Sequence, residues 1–368
     1  VRGAGDVGAP RLALRRLREA DHHRAPANAS VAASAAPRRR LRAAPSAAAA
    51  AAAGAGGWTT LFADHFEGSG VNTAKWGFQL GDGCDVGICG WGNQELQFYT
   101  NRSANARVTA GKLVIEAREE RGAGRGALEA DCWADCHARC GAHGGQCLNA
   151  CGGARCPAVR FSSARLRTYR RFAVAPSARH PVVRVEARIA VPRGAGMWPA
   201  FWMLPERGAR DDCVGCGAYG AWPLSGEIDV MEAANMAEHV AGTVHFGQAW
   251  PQNAFLSGRR GLGPGFHVYA VEWEREEIRW YADGELFHSA RPAAAAGGGG
   301  GGWFSAGAAA SRTAPFDQPF HIILNLAAGG GFTGSPTAES VSNSMARQRK
   351  RMVIDYVRVS GCGGAAAA

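Results

Sequence analysis

The chain has 368 residues, 46% of them hydrophobic and 20% charged, with 11 Trp. That is enough for a sizeable core and too apolar for wholesale disorder. No stretch offers about 20 strongly apolar residues, so no membrane-spanning helix is predicted and the chain reads as soluble. The net charge of +10 divides unevenly: residues 1–57 hold ten Arg against Asp6, Glu19 and Asp21, a local +7, which leaves +3 for the other 311 residues. A near-neutral body has no field that demands a nucleic-acid partner.

Residues 1–57 lack alternation and are rich in Ala, Arg and Pro. They read as a disordered or processing segment. The Arg-rich, acid-poor start resembles a plastid-type transit peptide, and Arg38–Arg42 before small residues resembles a secretory signal. From Trp58 the character changes. Short runs rich in aromatic and β-branched residues recur between Gly, Asn, Asp and Pro: Lys112–Ala117, Val182–Val191, Phe266–Trp273, Glu277–Tyr281, His321–Leu326 and Met352–Val359. Several alternate polar with apolar residues, the period of a half-buried strand. An Asp283-Gly284 pair between Tyr281 and Glu285 is a hairpin signal. No helical stripe of comparable length is evident, so an all-β sandwich over 58–362 is expected, with 363–368 a short tail.

Two inserts interrupt the pattern. Residues 121–160 hold Cys132, Cys136, Cys140, Cys147, Cys151 and Cys156. The spacings lack paired CxxC units, which favours disulfides over zinc. Residues 292–314 are mostly Ala and Gly and read as a flexible loop. The local pairs Cys84/Cys89 and Cys213/Cys216 add to the case for an oxidising, extracellular or secretory compartment. Eleven cysteines leave one over, and Cys362 is the candidate.

The most informative run is Gly226–Glu232, GEIDVME. Read as a strand, it points Glu227 and Asp229 one way and Ile228 and Val230 into the core. Glu232 stands an odd five steps from Glu227, which would bury its charge among apolar groups. A β-bulge at Val230/Met231 returns it to the acidic face. The two Glu backbones then lie roughly 13 Å apart, four strand steps of about 3.3 Å. Leaning side chains can close that to about 5–5.5 Å, the separation of a retaining glycosidase pair. Asp229 between them keeps the charges unequal, because three neighbouring carboxyls cannot all ionise cheaply. Upstream, Trp198 and Trp202 stand four apart, and aromatic faces near a carboxylate cleft suit the apolar faces of sugar rings.

With these segments the chain resembles glycoside hydrolase family 16, and within it the laminarinase-type endo-β-1,3-glucanases. The likeness runs through Trp91–Thr100, Gly111–Ala117, Ser163–Thr168, Trp198–Leu204, Gly226–Ala233, Thr243–Gly247, Phe266–Trp273, Pro315–Leu326 and Ile354–Val359. The resemblance implies a jelly-roll β-sandwich of two antiparallel sheets with a concave substrate cleft. It implies Glu227 as nucleophile, Glu232 as general acid/base and Asp229 as assisting carboxylate, with Asn93, Arg165, Trp198, Trp202 and His245 contacting sugar. A β-glucan substrate, a monomer and no required cofactor are expected. Asp64-His65-Phe66 departs from the Asp-Glu-Phe of many relatives, which weakens the family's structural calcium, leaving Glu67, Gly68 and Asp355 as contributors. The six-cysteine insert lies outside the usual pattern and is expected to wall one end of the cleft. On the same scaffold the alternatives are a non-catalytic glucan-binding protein, a transglycosylase, or a hydrolase of mixed-linkage glucan or galactan.

Overall fold

A computed structural model describes residues 57–140, 156, 159–206, 213–249, 253–294 and 301–363. Residues 1–56, the cysteines at 147 and 151, and the 364–368 tail lie outside the described residues.

Alternation dictates the two layers. In Val182–Ala190, Val183, Val185, Ala187 and Ile189 are fully buried, while Arg184, Glu186 and Arg188 face the other way. This strand is central to a ten-stranded outer sheet whose main path runs Glu285–Ala290, Glu277–Ala282, Phe266–Glu274, Val182–Ala190, Lys350–Cys362, Lys112–Glu119, Phe161–Ser163, Gln97–Tyr99. Charges on its outward face pair across strands, Glu186 with Arg184 and Arg358, and Glu272 with Arg184 and Arg279. Burial of the inward-facing apolar residues, rather than these charges, holds the sheet. The second sheet has seven strands, in the order Asn253–Gly261, His239–Gly247, Glu227–Ala233, Met197–Pro205, Phe320–Ala328, Arg165–Arg167, Gly77–Phe78. Between the sheets lie Trp76, Trp273, Trp280, Trp303, Phe201, Phe316 and Phe320, all fully buried. The expected β-sandwich is the fold found.

Three local expectations need correction. Gln97–Tyr99 and Phe161–Ser163 pair in parallel, so the outer sheet is mixed rather than wholly antiparallel. Two α-helices are present among the described residues, Ala123–Cys140 and Ala338–Arg347. The second is short and has its stop signals outside any long apolar stripe. Thr337 caps it by accepting from the Ser340 amide. The first forms inside the cysteine insert, where Ala and Leu propensity wins and a disulfide from Cys132 to Cys156 fastens it. Part of the Ala/Gly loop is also ordered, with Trp303 buried in the core and Ser305 Oγ donating to the Leu224 carbonyl at 2.6 Å. The pairs Cys84–Cys89 and Cys213–Cys216 are bonded, and Cys362 is a buried thiol outside these disulfides.

Leu128, Cys132, Cys156 and Val159 form a small cluster with Phe98. Phe98 projects from the opposite side of its strand to Gln97 and Tyr99, whose side chains reach the cleft residue Glu95. The described part of the insert therefore backs the cleft edge instead of walling it. Replacing Cys132 and Cys156 with Ser is expected to lower Tm, since closing a loop of this length is worth about 3 kcal/mol in the chain-entropy view. The product lengths released from long glucan should stay unchanged, which chromatography of the digest reads directly.

Candidate active site

The site is assembled on the seven-stranded sheet. Opposite residues of an antiparallel pair share a face, so register places each side chain. Glu227 lies opposite His245, Asp229 opposite Trp202 and Thr243, and Glu232 opposite Ala200 and Ala241. Beyond them, Ala200 faces Asn325, and Asn325 faces Arg165. All three acids thus open on one groove with Trp202, Asn325, Arg165 and His245.

The predicted bulge is what allows this. Asp229 and Glu232 are three positions apart where their partners Thr243 and Ala241 are two apart. Val230 and Met231 fill the extra step and are both buried. The Asp229 carbonyl at the bulge is satisfied by Trp280 Nε1 of the outer sheet at 2.8 Å. Gly242 makes room for that indole, since a Cβ there would meet Trp280 Cδ1 at 2.3 Å.

Each flanking carboxylate has its own indole. Trp222 Nε1 donates to Glu227 Oε2 at 2.8 Å, and Trp198 Nε1 donates to Glu232 Oε1 at 2.8 Å. His245 Nε2 stands 3.2 Å from Asp229 Oδ2. Burial pushes the Glu227 carboxyl up to about 8, with the Asp229 charge adding to it. Burial also pushes Glu232 up to about 7, and raises Asp229 well above the usual carboxylate range, where the Glu232 charge reinforces it. Three carboxyls in so dry a place cannot all ionise. Asp229 is 1% exposed and hydrogen-bonded to Glu227, whereas both glutamates are partly open. The shared proton belongs on Asp229 when Glu227 reacts.

Trp198 and Trp202 are half-buried, neither lost in the core nor free. Trp202 Nε1 donates to Asn325 Oδ1 at 2.7 Å, and Asn325 Nδ2 donates to Tyr99 OH at 3.0 Å. Arg165 is only 4% exposed, sandwiched between Trp91 at 4.7 Å and Trp202 at 4.6 Å from its guanidinium carbon. It supports the groove floor more than it lines the surface. Asn93 is exposed at the rim, its carbonyl accepting from the Gly331 amide at 2.8 Å.

Glu95, Trp222 and Asn325 were not singled out by sequence reasoning. Glu95 accepts from Gln97 Nε2 at 2.6 Å, Tyr99 OH at 3.3 Å and Asn93 Nδ2 at 3.4 Å. Burial raises its own proton affinity, and its charge raises that of Glu232. The signal was an acid inside an otherwise polar-aromatic run, WGNQELQFYT, too common to stand out alone. Replacing Glu95 with Gln removes a negative charge felt by Glu232, which then ionises more easily. The basic limb of the pH–kcat/KM profile is expected to move to lower pH, with a several-fold loss of kcat.

One more expectation concerns a structural cation. Asp355 is bridged by Arg188 Nη1 at 2.7 Å and Lys112 Nζ at 3.3 Å. The Asp355 carboxylate is thus already committed to two cationic side chains, which a hard ion would have to displace. Glu227, Asp229 and His245 also offer ligand atoms within 4.8 Å of one another, but their hydrogen bonds belong to the groove chemistry.

A β-sandwich with paired glutamates on one kinked strand, each held by an indole in a polar-aromatic groove, defines a carboxylate-pair glycoside hydrolase. The comparisons agree. The sequence profile of the glycosyl hydrolases family 16 matches residues 177–357. A beta-glucanase of Rhodothermus marinus is 35% identical over 314 residues, covering 82% of this chain and 85% of that protein. A glucan endo-1,3-beta-glucosidase A1 of Niallia circulans is 33% identical over 82% of this chain, which spans only 38% of that longer protein. The crystal structure of the laminarinase from Rhodothermus marinus superposes with a TM-score of 0.56 at 31% identity, covering 83% of this chain and 98% of that one. The chain belongs to glycoside hydrolase family 16.

Proposed function

We propose that the protein is a retaining endo-glycosidase that hydrolyses β-1,3-linked glucan, with Glu227 as nucleophile and Glu232 as general acid/base. The observation that carries the roles is the bulged strand, which turns both glutamates into one groove and gives each a separate indole donor. Glu227 attacks the anomeric carbon while Glu232 protonates the departing glycosidic oxygen. The product is a covalent glycosyl-enzyme. Glu232, now ionised, deprotonates a water that attacks the same carbon and releases Glu227. Asp229 holds a proton toward Glu227, which orients the attacking oxygen and limits the charge in the pocket.

The β-1,3 linkage rests on likeness to the glucanases above. Secretion is part of the same reading, supported by three disulfides among the described residues. A monomer is proposed with it. The test is a panel of laminarin, lichenan, agarose and xyloglucan. Reducing ends should appear chiefly from laminarin, and NMR should catch the β-anomer first. An α-anomer first, or no cleavage of laminarin, overturns the reading.

A further inference from the structure

Residues 100–105 join the strand Gln97–Tyr99 to the strand Ala106–Thr109. Three of them fix this connection. Thr100 is buried, its Oγ1 donating to Asn105 Oδ1 at 2.6 Å and accepting from the Arg102 amide at 3.2 Å. Asn105 is fully buried, and its Nδ2 donates to the Glu116 carbonyl at 3.0 Å and to Ser162 Oγ at 2.8 Å. The Arg102 carbonyl accepts from the Asn105 amide at 2.9 Å and the Ala106 amide at 3.0 Å. The Arg102 guanidinium meets Asp131 of the Ala123–Cys140 helix. Between these anchors stand Asn101 and Ser103, both exposed. Among the described residues, neither of their side chains has a hydrogen-bond partner.

The fold therefore makes no use of an amide at 101 or a hydroxyl at 103. Together they have another meaning. Asn101-Arg102-Ser103 is the tripeptide Asn-x-Ser, with x other than Pro, that accepts an N-linked oligosaccharide in the secretory pathway. Among the described asparagines, Asn101 alone has Ser or Thr two residues on. Asn28-Ala29-Ser30 has the same pattern and lies outside the described residues. Use of such a tripeptide requires that a transferase reach both the amide and the hydroxyl, and that a bulky polar chain extend into water from the product. An exposed connection held by its neighbours meets both conditions. Asn105 shows the contrast: its amide is spent on the Glu116 carbonyl and Ser162, and Arg107 stands two residues on.

We propose that Asn101 is a modification site that carries an N-linked oligosaccharide. The proposal rests on the secretory reading above, because the donor, a lipid-pyrophosphate-linked oligosaccharide, is met in that compartment. In the transfer Asn101 Nδ2 attacks C1 of the donor's first sugar. The Nδ2–C1 bond forms, the C1–O bond to pyrophosphate breaks, the amide gives up one proton, and the lipid pyrophosphate departs. None of the groove side chains bonds to Asn101 or Ser103, so the attached chain leaves the carboxylates and their indoles as they are.

The test expresses the full chain in a eukaryotic host behind an added secretion leader. Protein from the medium is treated with peptide N-glycosidase in heavy-oxygen water, which converts a linked asparagine to aspartate and labels it. Mass spectrometry should place the label on residue 101. Ser103→Ala should abolish the labelling and Ser103→Thr should retain it, with kcat/KM on laminarin equal in all three proteins. An unmodified Asn101 in secreted wild type, or labelling that survives Ser103→Ala, overturns the assignment. The added leader imposes entry into the pathway, so this result bears on the site alone. The secretory reading fails separately, and use of the site in the source cells with it, if fractionation of those cells finds the chain in the cytosol or a plastid.

Discussion

Glu227→Ala should lose about 10⁴- to 10⁶-fold in turnover of β-1,3-glucan while still folding and binding the sugar. The side chain is partly exposed and its strand neighbours Ile228 and Val230 carry the burial, so truncation leaves the core intact. What disappears is the carboxylate proposed to attack. A small external anion can then fill the space. Adding azide with an activated aryl glycoside should restore turnover and give the α-glycosyl azide, inverted because one displacement replaces two. A rescued product of β configuration, or substantial activity without azide, would remove Glu227 from the nucleophile role. Glycan analysis by NMR separates these outcomes.

Glu232→Gln should behave differently. Glucan hydrolysis is expected to fall about 10²- to 10⁴-fold, because its leaving oxygen needs a proton. Aryl glycosides with acidic phenols need none, so their first step should survive and the glycosyl-enzyme should accumulate as a burst. The pH dependence carries a sign. Glu232 must be protonated for the first step, and burial raises it to about 7. Loss of the Glu232 proton therefore contributes the basic limb of wild-type activity, and in Glu232→Gln that decline should vanish from the aryl substrate. The same shift is a stability statement. Between the ordinary value of 4.5 and about 7 the folded enzyme holds a proton the unfolded chain has released. Wild type loses stability as pH climbs through this window, so the Gln variant should have the higher Tm above pH 7, with the difference gone below about pH 4. A basic limb that persists unchanged would show another group donating the proton.

How much was legible beforehand depended on whether the physical signal was local. The bulge was readable because Glu227 and Glu232 differ by an odd step, and a stranded charge in the core is costly. Trp198 and Trp202 were readable from their spacing. Glu95 and Trp222 were not, because their importance comes from what they meet across the groove. Trp222 is a lone aromatic in a turn until its indole is seen on Glu227. Arg165 was placed correctly on the cleft side, yet no spacing rule reports that two tryptophans bury it. The Ala123–Cys140 helix was missed for a related reason. Its Gly and Cys content hid a pattern that only packing on Phe98 makes stable.

The contact between Trp280 and the Asp229 carbonyl removes the usual division between scaffold and machinery. The kink that aligns the acids is fastened from the far layer by a fully buried indole, and Gly242 exists to admit it. A lesion at either position would register as a chemical defect although neither side chain lies within reach of sugar. Tolerance to change in this enzyme is therefore mapped by distance from the bulge, not by distance from the substrate.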